Sequence, residues 1–444
     1  MSKNSIGERA GSGGGGTDAV TYPPGDTLLA MHRRFGPLMR LGVGRRGFVY
    51  LMGPEANAFV FANASLFQTR EAFEVLVPVS GERSLLLSDG DVHRRRRRLV
   101  APALHHRQID GYLEIMANQA DAALDGWRPG SRVDVYQDFR AAIRRTTIES
   151  LFGSRLAADA DFFGNRLQSL LRLVDDLPTM LALRRSLGTP RWRGAMADRA
   201  MVDERIHAEI ARVRSGAVDG DDNVLVNLVT ARDEDGDALS DIEIRDQMVS
   251  LIVAGYETTS GVFGWAVHAM LSNPGVWERA AAEVRDVCGD RAPTREDLRR
   301  LPYLTGVMNE TLRLWPPAVI SARKIVQDFE YAGRRIPAGP MMIFSPYVTH
   351  RLPELWTDPL SFRPQRWDPQ DPDYRKPGPH EFLPFGGGAH RCLGSTMATT
   401  VLTVMLARLL SRTTLRALPG KPKAVSFAAM RPKDGIPVEV LTSR

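Results

Sequence analysis

Apolar residues recur at helical spacing over most of this chain and alternate at strand spacing over only a few short pieces. The strongest pattern begins at Ser240, where Glu243 three residues on completes a capping box. Apolar side chains return at Ile244, Met248, Leu251 and Ile252, with Gly255 in step. The run should stop near Asn273, before Pro274. This predicts a helix of about 32 residues, roughly 48 Å, long enough to cross a whole domain. Residues 91–152 read as helical with a break at Pro129-Gly130, and 155–216 as helical and arginine-rich with a break at 188–190. Further helices are expected over 274–288, 303–314 and 396–410. Residues 38–43 and 48–52 predict a β-hairpin followed by a helix, and 320–344 turn strand-like around Gly333 and Pro337-Ala338-Gly339. Short strands near 425–427 and 437–441 close the chain. Residues 69–90 read as loop with apolar points, 219–222 as an acidic surface loop, and 352–384 as a proline-rich coil. A coil that long inside a compact domain normally serves a function. The expectation is a mainly α fold with a minor β part. One folding unit spans 21–444, without repeats, behind a Gly/Ser-rich tail over 1–20 that reads as disordered.

Composition narrows the setting. With 43% hydrophobic and 25% charged residues the 444-residue chain is globular in type. Its two cysteines argue against a disulfide scaffold and for a reducing compartment. The formal charge of +6 fits either nucleic acid or an acidic electron-transfer protein, and charge alone does not separate them. No secretory signal is visible. The uncharged run 258–277 contains Ser260, His268, Ser272, Asn273 and Pro274 and continues the long helix, so it reads as buried core rather than a membrane span. A soluble, cytoplasmic, monomeric protein is expected.

One of the cysteines, Cys392, sits in Phe385-Gly386-Gly387-Gly388-Ala389-His390-Arg391-Cys392-Leu393-Gly394. A lone intracellular cysteine is usually a small buried hydrophobe. Here three glycines free the backbone to pass close to a flat cofactor, and a following helix aims its N-terminal N–H groups at the sulfur, which should lower the thiol pKa. The segment resembles the haem-binding loop of the cytochrome P450 family, Phe-x-x-Gly-x-(Arg/His)-x-Cys-x-Gly, with Phe385, Gly388, His390, Cys392 and Gly394 at every fixed position. The resemblance implies a P450-like fold with the long helix across the haem. It implies haem b as cofactor and Cys392 as axial ligand to its iron, with Phe385, Gly386 and Gly394 shaping the loop. His390 stands where arginine is commoner, so its charge on a propionate should depend on pH.

Ala254-Gly255-Tyr256-Glu257-Thr258-Thr259 lies mid-way along the long helix. Glycine there costs about 1 kcal/mol against alanine. The plain alternative is a helix crossing with a solvent-facing Glu257. The segment also resembles the family's (Ala/Gly)-Gly-x-(Asp/Glu)-Thr motif. That implies that Ala254 and Gly255 let the helix approach the haem, and that Glu257 and Thr258 pass protons to bound oxygen as an acid–alcohol relay. Glu310 and Arg313, an i,i+3 pair that is a weak signal alone, match the family's Glu-x-x-Arg pair, which joins a later arginine (here Arg366) under the cysteine loop.

The run Asp91-Val92-His93-Arg94-Arg95-Arg96-Arg97-Arg98 invites a nucleic-acid reading or that of a solvated helix face. His93 and Arg97 share one face and match the family's propionate-binding His-x-x-x-Arg, as Arg323 matches a third such contact. Nucleic acid is therefore not expected as a partner. Arg95 and Arg98 would then face outward toward an acidic ferredoxin or flavodoxin. His350-Arg351 resembles a variant shared by fatty-acid, sterol and terpenoid hydroxylases. Cys288, at a helix end, reads as structural. Expected pocket walls are Val75 within 73–79, Val253, Ala254, Ala318, Val319, Ile320 and Ala429 within 428–430, under a variable lid at 155–216. These apolar walls favour a hydrophobic small molecule: a terpenoid, a lipid or sterol, or a polyketide-like compound. The resemblance implies a monooxygenase that uses O2 and draws electrons from NAD(P)H through a separate reductase and a ferredoxin or flavodoxin. Two alternatives stay open: a haem-thiolate enzyme of C–C cleavage, coupling or desaturation, and a haem sensor without turnover.

Overall fold

The structure, a computed structural model, describes residues 22–175, 178–217, 223–425 and 429–444. The tail 1–20, the loop 219–222, most of the strand expected at 425–427 and Ala428 lie outside the described residues.

The long helix runs from Asp241 to Ser272, 32 residues, and both halves of its capping box form. Ser240 Oγ accepts from the Glu243 amide at 3.3 Å, while the Glu243 carboxylate accepts from the Ser240 amide at 3.1 Å. Two of the free N–H groups at the helix start are thereby satisfied. Most of this central helix is buried. Phe263 stacks on Phe139 of the helix Val135–Phe152 with centroids 4.2 Å apart, and Trp265 stacks on Trp315 at 5.6 Å. Each such buried side chain contributes about 1.5–3 kcal/mol. The crossing with Val135–Phe152 is tight: a Cβ on Gly264 would stand 2.9 Å from the Tyr136 ring.

Five further helices frame the site. Gly90–Val100 carries the arginine run. Ala160–Val174 is amphipathic and packs on Pro190–Arg214. Pro302–Leu314 bears Glu310 and Arg313, and Ser395–Arg412 follows the cysteine loop. A five-stranded sheet lies to one side in the order Leu38–Leu41, Phe48–Leu51, Met341–Phe344, Ser321–Ile325 and Phe67–Gln68. Its hairpin pairs Leu41 with Phe48, and Ser321–Ile325 pairs antiparallel with Met341–Phe344 so that Arg323 faces Met342. A smaller core of Val49, Leu51, Val60, Phe67, Ile325 and Phe344 fills its inner face.

Some elements differ from expectation. A helix at Pro23–Phe35, started by two prolines with Asp26 in its first turn, precedes the hairpin. Its apolar stripe is short and ends in His32-Arg33-Arg34, too weak a period to stand out. Residues 69–90 are not plain loop: Glu71–Leu76 forms 3-10 turns and Val77–Ser80 one α turn. Thr413–Ala417 adds an edge strand to a three-stranded sheet in which Pro437–Ser443 lies in the middle and Arg132–Asp134 on the other side, a pairing of distant segments. Among the described residues no helix is long and apolar enough to cross a membrane.

Candidate active site

The proline-rich coil is held by one buried carboxylate. Glu310 is fully buried and accepts from Arg313 at 2.7 and 2.9 Å, from the Arg363 amide at 3.0 Å, from Trp367 Nε1 at 3.0 Å and from Arg366 Nε at 3.3 Å. Arg313 also donates to the carbonyls of His350, Pro359 and Ser361 at 2.8, 2.7 and 3.0 Å. Its charge helps hold the Glu310 carboxyl below the ordinary range against burial, which pushes the other way. A second strut comes from His350. Its Nδ1 lies 3.2 Å from the Arg313 carbonyl and its Nε2 accepts from the Leu383 amide at 2.8 Å. These partners fix a neutral imidazole with its proton on Nδ1. Burial, reinforced by Arg313 and Arg351, pushes its pKa down to about 3. Arg351 is buried over the Tyr347 ring at 3.4 Å. His350-Arg351 is thus part of the frame beneath the coil and carries no information about substrate.

Leu383 delivers the chain to the cysteine loop. Gly386 and Gly388 take φ of +66° and +62°, the left-handed region, and a Cβ on Gly387 would stand 2.5 Å from the Phe61 ring. The Cys392 amide donates to the Phe385 carbonyl at 2.9 Å, which folds the loop back on itself. Cys392 presents surface to the interior opening although protein encloses it on most sides. Burial raises its thiol pKa, and the Gly394 amide, Arg97 and Arg391 only partly oppose this. The expected depression by the helix N-terminus is therefore corrected: in the protein alone, desolvation dominates. Coordination to a metal would deprotonate the thiol outright.

Four basic side chains converge beside this loop. The buried His93 ring lies 4.0 Å from the His390 ring, centroid to centroid. Burial lowers both imidazole pKa values, that of His390 to about 4 with help from His93 and Arg323. In the protein alone His390 is thus neutral near pH 7 and can serve as a neutral donor. Asp89 stands 3.9 Å from His390, beyond hydrogen-bond reach, and is occupied by the Thr69 and Arg70 amides at 2.7 and 3.0 Å. Arg323 donates to Ser321 Oγ at 2.9 Å and the Ala322 carbonyl at 2.7 Å, and lies over Phe73 and Phe344. Burial lowers its pKa to about 10, and burial likewise lowers that of Arg97. Among the described residues neither Arg97 nor Arg323 forms an ion pair.

The rest of the arginine run is spent on the protein's own acids. Arg95 pairs with Asp233 at 2.7 Å, Arg96 with Glu243 at 3.1 Å, Arg98 with Glu234 at 2.9 Å and Arg94 with Asp91. Arg95 and Arg98 tie their helix to the segment that leads into the central helix, although Arg98 and Glu234 themselves stay exposed.

On the central helix, otherwise largely buried, Ala254 is exposed and Val253 and Thr258 are half-open to the interior. Thr258 Oγ1 donates to the Ala254 carbonyl at 2.7 Å. Gly255 has another reason: a Cβ there would stand 3.1 Å from Thr147 Cγ2, so it serves the helix crossing rather than the opening. The buried Glu257 carboxylate pairs with Arg140 of Val135–Phe152, whose guanidinium also reaches Gln168 at 2.5 Å and covers the Tyr256 ring. No hydrogen bond joins the Glu257 and Thr258 side chains among the described residues. A direct acid–alcohol contact is therefore absent, and Arg140 is a partner that sequence reasoning missed. As one of three arginines on an amphipathic helix it gave no signal.

The pocket residues divide. Ala318 is exposed, and the Met430 amide donates to the Pro317 carbonyl at 3.0 Å, bringing buried Ala429 close to it. Val75 is half-buried against the main core. Val319 and Ile320 line a cleft of ≈ 180 Å³ with Tyr22, Leu28 and Tyr50, beside the N-terminal helix. Tyr22 and Leu28 were not singled out, because the helix carrying them was not expected.

These residues fit a flat dianionic cofactor held through sulfur. One loop offers a cysteine, two half-buried cations without an ion pair among the described residues suit two carboxylates, two neutral imidazoles can donate to them, and a small-residue opening faces from the central helix. Comparison with known proteins agrees. Residues 21–438 match the family model described as Cytochrome P450. The Putative cytochrome P450 139 of Mycobacterium tuberculosis is 52% identical over 428 residues, covering 96% of this chain and 99% of its own. A cyclooctat-9-en-7-ol 5-monooxygenase of Streptomyces melanosporofaciens is 33% identical, covering 88% and 85%. The retinoic acid-bound cyanobacterial CYP120A1 superposes with a TM-score of 0.85 at 26% identity, covering 94% of each chain. The chain belongs to the cytochrome P450 family. It is a haem monooxygenase whose haem iron is ligated by cysteine, and it works with O2 and a redox partner that supplies electrons.

Proposed function

We propose that this P450 inserts one oxygen atom from O2 into a hydrophobic small molecule of terpenoid, lipid or polyketide-like type, with Cys392 as the iron ligand. The observation that carries the reading is the pair Arg97 and Arg323, half-buried and without an ion pair among the described residues, next to the His93–His390 ring pair and Cys392. Leaving two guanidinium groups so placed is costly unless a ligand brings anions to them. Thiolate-ligated haem supplies the O–O cleavage chemistry when bound. His93, Arg97, Arg323 and His390 hold its carboxylates, and Phe385, Gly386 and Gly394 keep the loop clear of it. Thr258, whose hydroxyl spans to the Ala254 carbonyl, holds a proton donor at the opening, and Glu257 supplies protons from behind the helix when Arg140 releases it.

Ala254, Ala318, Val253 and Ile320 offer no charge to a substrate, and the Streptomyces relative is named for a cyclooctatin-type alcohol, which favours a terpenoid. We assign the electrons to NAD(P)H through separate redox proteins, and the enzyme to a cytoplasmic monomer with one catalytic unit over 21–444.

The test uses haem-loaded protein. The ferrous–CO complex should show the red-shifted band of thiolate ligation, and Cys392→Ser should abolish it; survival of the band would move the ligand elsewhere. A screen of apolar compounds for spin-state shifts, then product analysis with surrogate redox proteins and NADPH, should yield a hydroxylated terpenoid. Shifts produced only by charged compounds would overturn the substrate class.

A further inference from the structure

We propose that the substrate carries a hydroxyl group on its apolar skeleton, and that Arg431 and Asp175 bind this hydroxyl between them at the edge of the pocket. The proposal rests on the reading of an apolar substrate at the opening beside Thr258 and narrows the class of molecule that enters it. Arg431 follows directly on the pocket residues Ala429 and Met430. That turn is pinned in place. The Met430 amide donates to the Pro317 carbonyl at 3.0 Å, and the Met430 carbonyl accepts from Trp265 Nε1 at 3.2 Å. A Cβ on Gly261 of the central helix would stand 2.9 Å from the Met430 carbonyl oxygen and 3.7 Å from Arg431 Cβ, so the turn sits directly against that helix. From there Arg431 reaches Asp175, the residue that ends the helix Ala160–Val174, at 3.5 Å. Asp175 in turn adds to the effect of burial on the Tyr22 phenol, whose pKa is raised to about 12. Tyr22 lines the cleft with Val319 and Ile320. An acid and a base drawn from distant parts of the chain thus meet beside walls that offer no charge of their own.

The form of the pair selects the ligand. Among the described residues the Arg431 side chain donates no hydrogen bond, and its approach to Asp175 is longer than the about 2.7–2.9 Å of a charge-assisted bond. The neighbouring Met430 and Pro432 are buried, whereas the Arg431 and Asp175 side chains are 26% and 33% exposed. A pair that served only to strap the helix to its neighbour would close to forked contact. Arg205 does so at the other end of the same helix, donating to Asp159 at 2.6 and 2.9 Å with similar exposure. The looser pair leaves its hydrogen-bonding capacity unspent. A hydroxyl between the two accepts from the guanidinium and donates to the carboxylate, and so satisfies both. A ketone has no proton for Asp175, a carboxylate is repelled by Asp175, and an ammonium is repelled by Arg431.

Spin-state titration of the full-length, haem-loaded protein tests this without turnover. The ligands are dodecanol, dodecane, dodecanoate and dodecyltrimethylammonium, with cedrol and cedrane as a terpenoid pair. Each alcohol should bind about tenfold tighter than its hydrocarbon, and both charged analogues should bind more weakly than dodecanol. Arg431→Leu should weaken the alcohols about tenfold and leave the hydrocarbons as in the parent, while Arg431→Lys, which keeps a donor, should retain part of the preference. Equal affinity of the parent for alcohol and hydrocarbon would overturn the proposal and leave the apolar-substrate reading standing. Shifts from the charged analogues alone, or from none of the compounds, would overturn both. Equal weakening of alcohols and hydrocarbons by Arg431→Leu would make the pair a strap on the lid and overturn the proposal. The comparison within the parent decides the matter even if that variant fails to load haem.

Discussion

His350 makes the frame beneath the cysteine loop sensitive to acid, and the size of the effect follows from its surroundings. Its ring is neutral in the folded protein, with a pKa pushed down to about 3, whereas in the unfolded chain it takes the ordinary value near 6.5. Between these values the unfolded state binds the extra proton, so stability rises with pH through this window and falls as the solution is acidified. The contribution is whole above about pH 6.5 and is lost progressively down to about pH 3. Between pH 6.5 and 4.5 this histidine alone should cost about 2 kcal/mol, out of a total stability of about 5–15 kcal/mol. His350→Gln tests it, because a glutamine can accept from the Leu383 amide and donate to the Arg313 carbonyl but does not titrate. Urea unfolding of the two proteins at several pH values gives the assay. The parent should lose about 2 kcal/mol more than the variant over that range, since every carboxylate and the buried His268 are common to both. Parallel acid limbs would refute the argument and show that His350 is already protonated, or already solvated, in the folded state.

Other perturbations act on neighbouring parts of the same frame. Glu310→Gln leaves Arg313 buried without a counter-charge and should cost about 3–5 kcal/mol in urea unfolding, with haem content falling in parallel. Gly387→Ala drives a methyl against the Phe61 ring and should cost about 1–3 kcal/mol, read as poorer retention of haem against apomyoglobin. Arg140→Leu strands the Glu257 carboxylate and should destabilise by about 3–5 kcal/mol, most of it recovered in the double variant with Glu257→Leu, a coupling that a thermodynamic cycle measures directly. Thr258→Ala removes the hydroxyl at the opening and should leave NADPH consumption near the parent rate while product falls and peroxide rises, as quantified by a peroxidase-coupled assay.

What could be read from the chain was whatever is written locally. Ser240, Glu243 and Pro274 delimit the central helix to within a residue, because a cap and a proline act on the backbone beside them. The cysteine loop was legible for the same reason: positive φ at Gly386 and Gly388 is a demand that the sequence itself meets. Hidden were the contacts that depend on segments far apart. Arg95 and Arg98 look like a free basic face until Asp233 and Glu234 arrive from some 140 residues on. Gly255 looks like a door to the opening until Thr147 is found against it, and nothing adjacent to Gly387 announces Phe61. The N-terminal helix was missed because its buried positions, Gly25 and Leu29, are too few to set a period.

The same division explains the site's chemistry. Charges that the protein pairs internally, such as Glu310 with Arg313 and Arg366, hold the shape; half-buried charges without an ion pair among the described residues, Arg97 and Arg323, are the ones an anionic ligand would satisfy. Glu257 falls between these classes. It is paired with Arg140, as a structural acid would be, yet sits one residue from Thr258 at the half-open stretch of the central helix. Gln168 of Ala160–Val174 holds the same guanidinium, so a shift of that helix when a substrate settles beneath it would alter the hold on Glu257. In this arrangement the acid is held while the helix is seated, and movement of that helix would free it to exchange protons. Proton supply would then be tied to occupancy of the pocket, which is the coupling a monooxygenase needs to avoid wasting reductant.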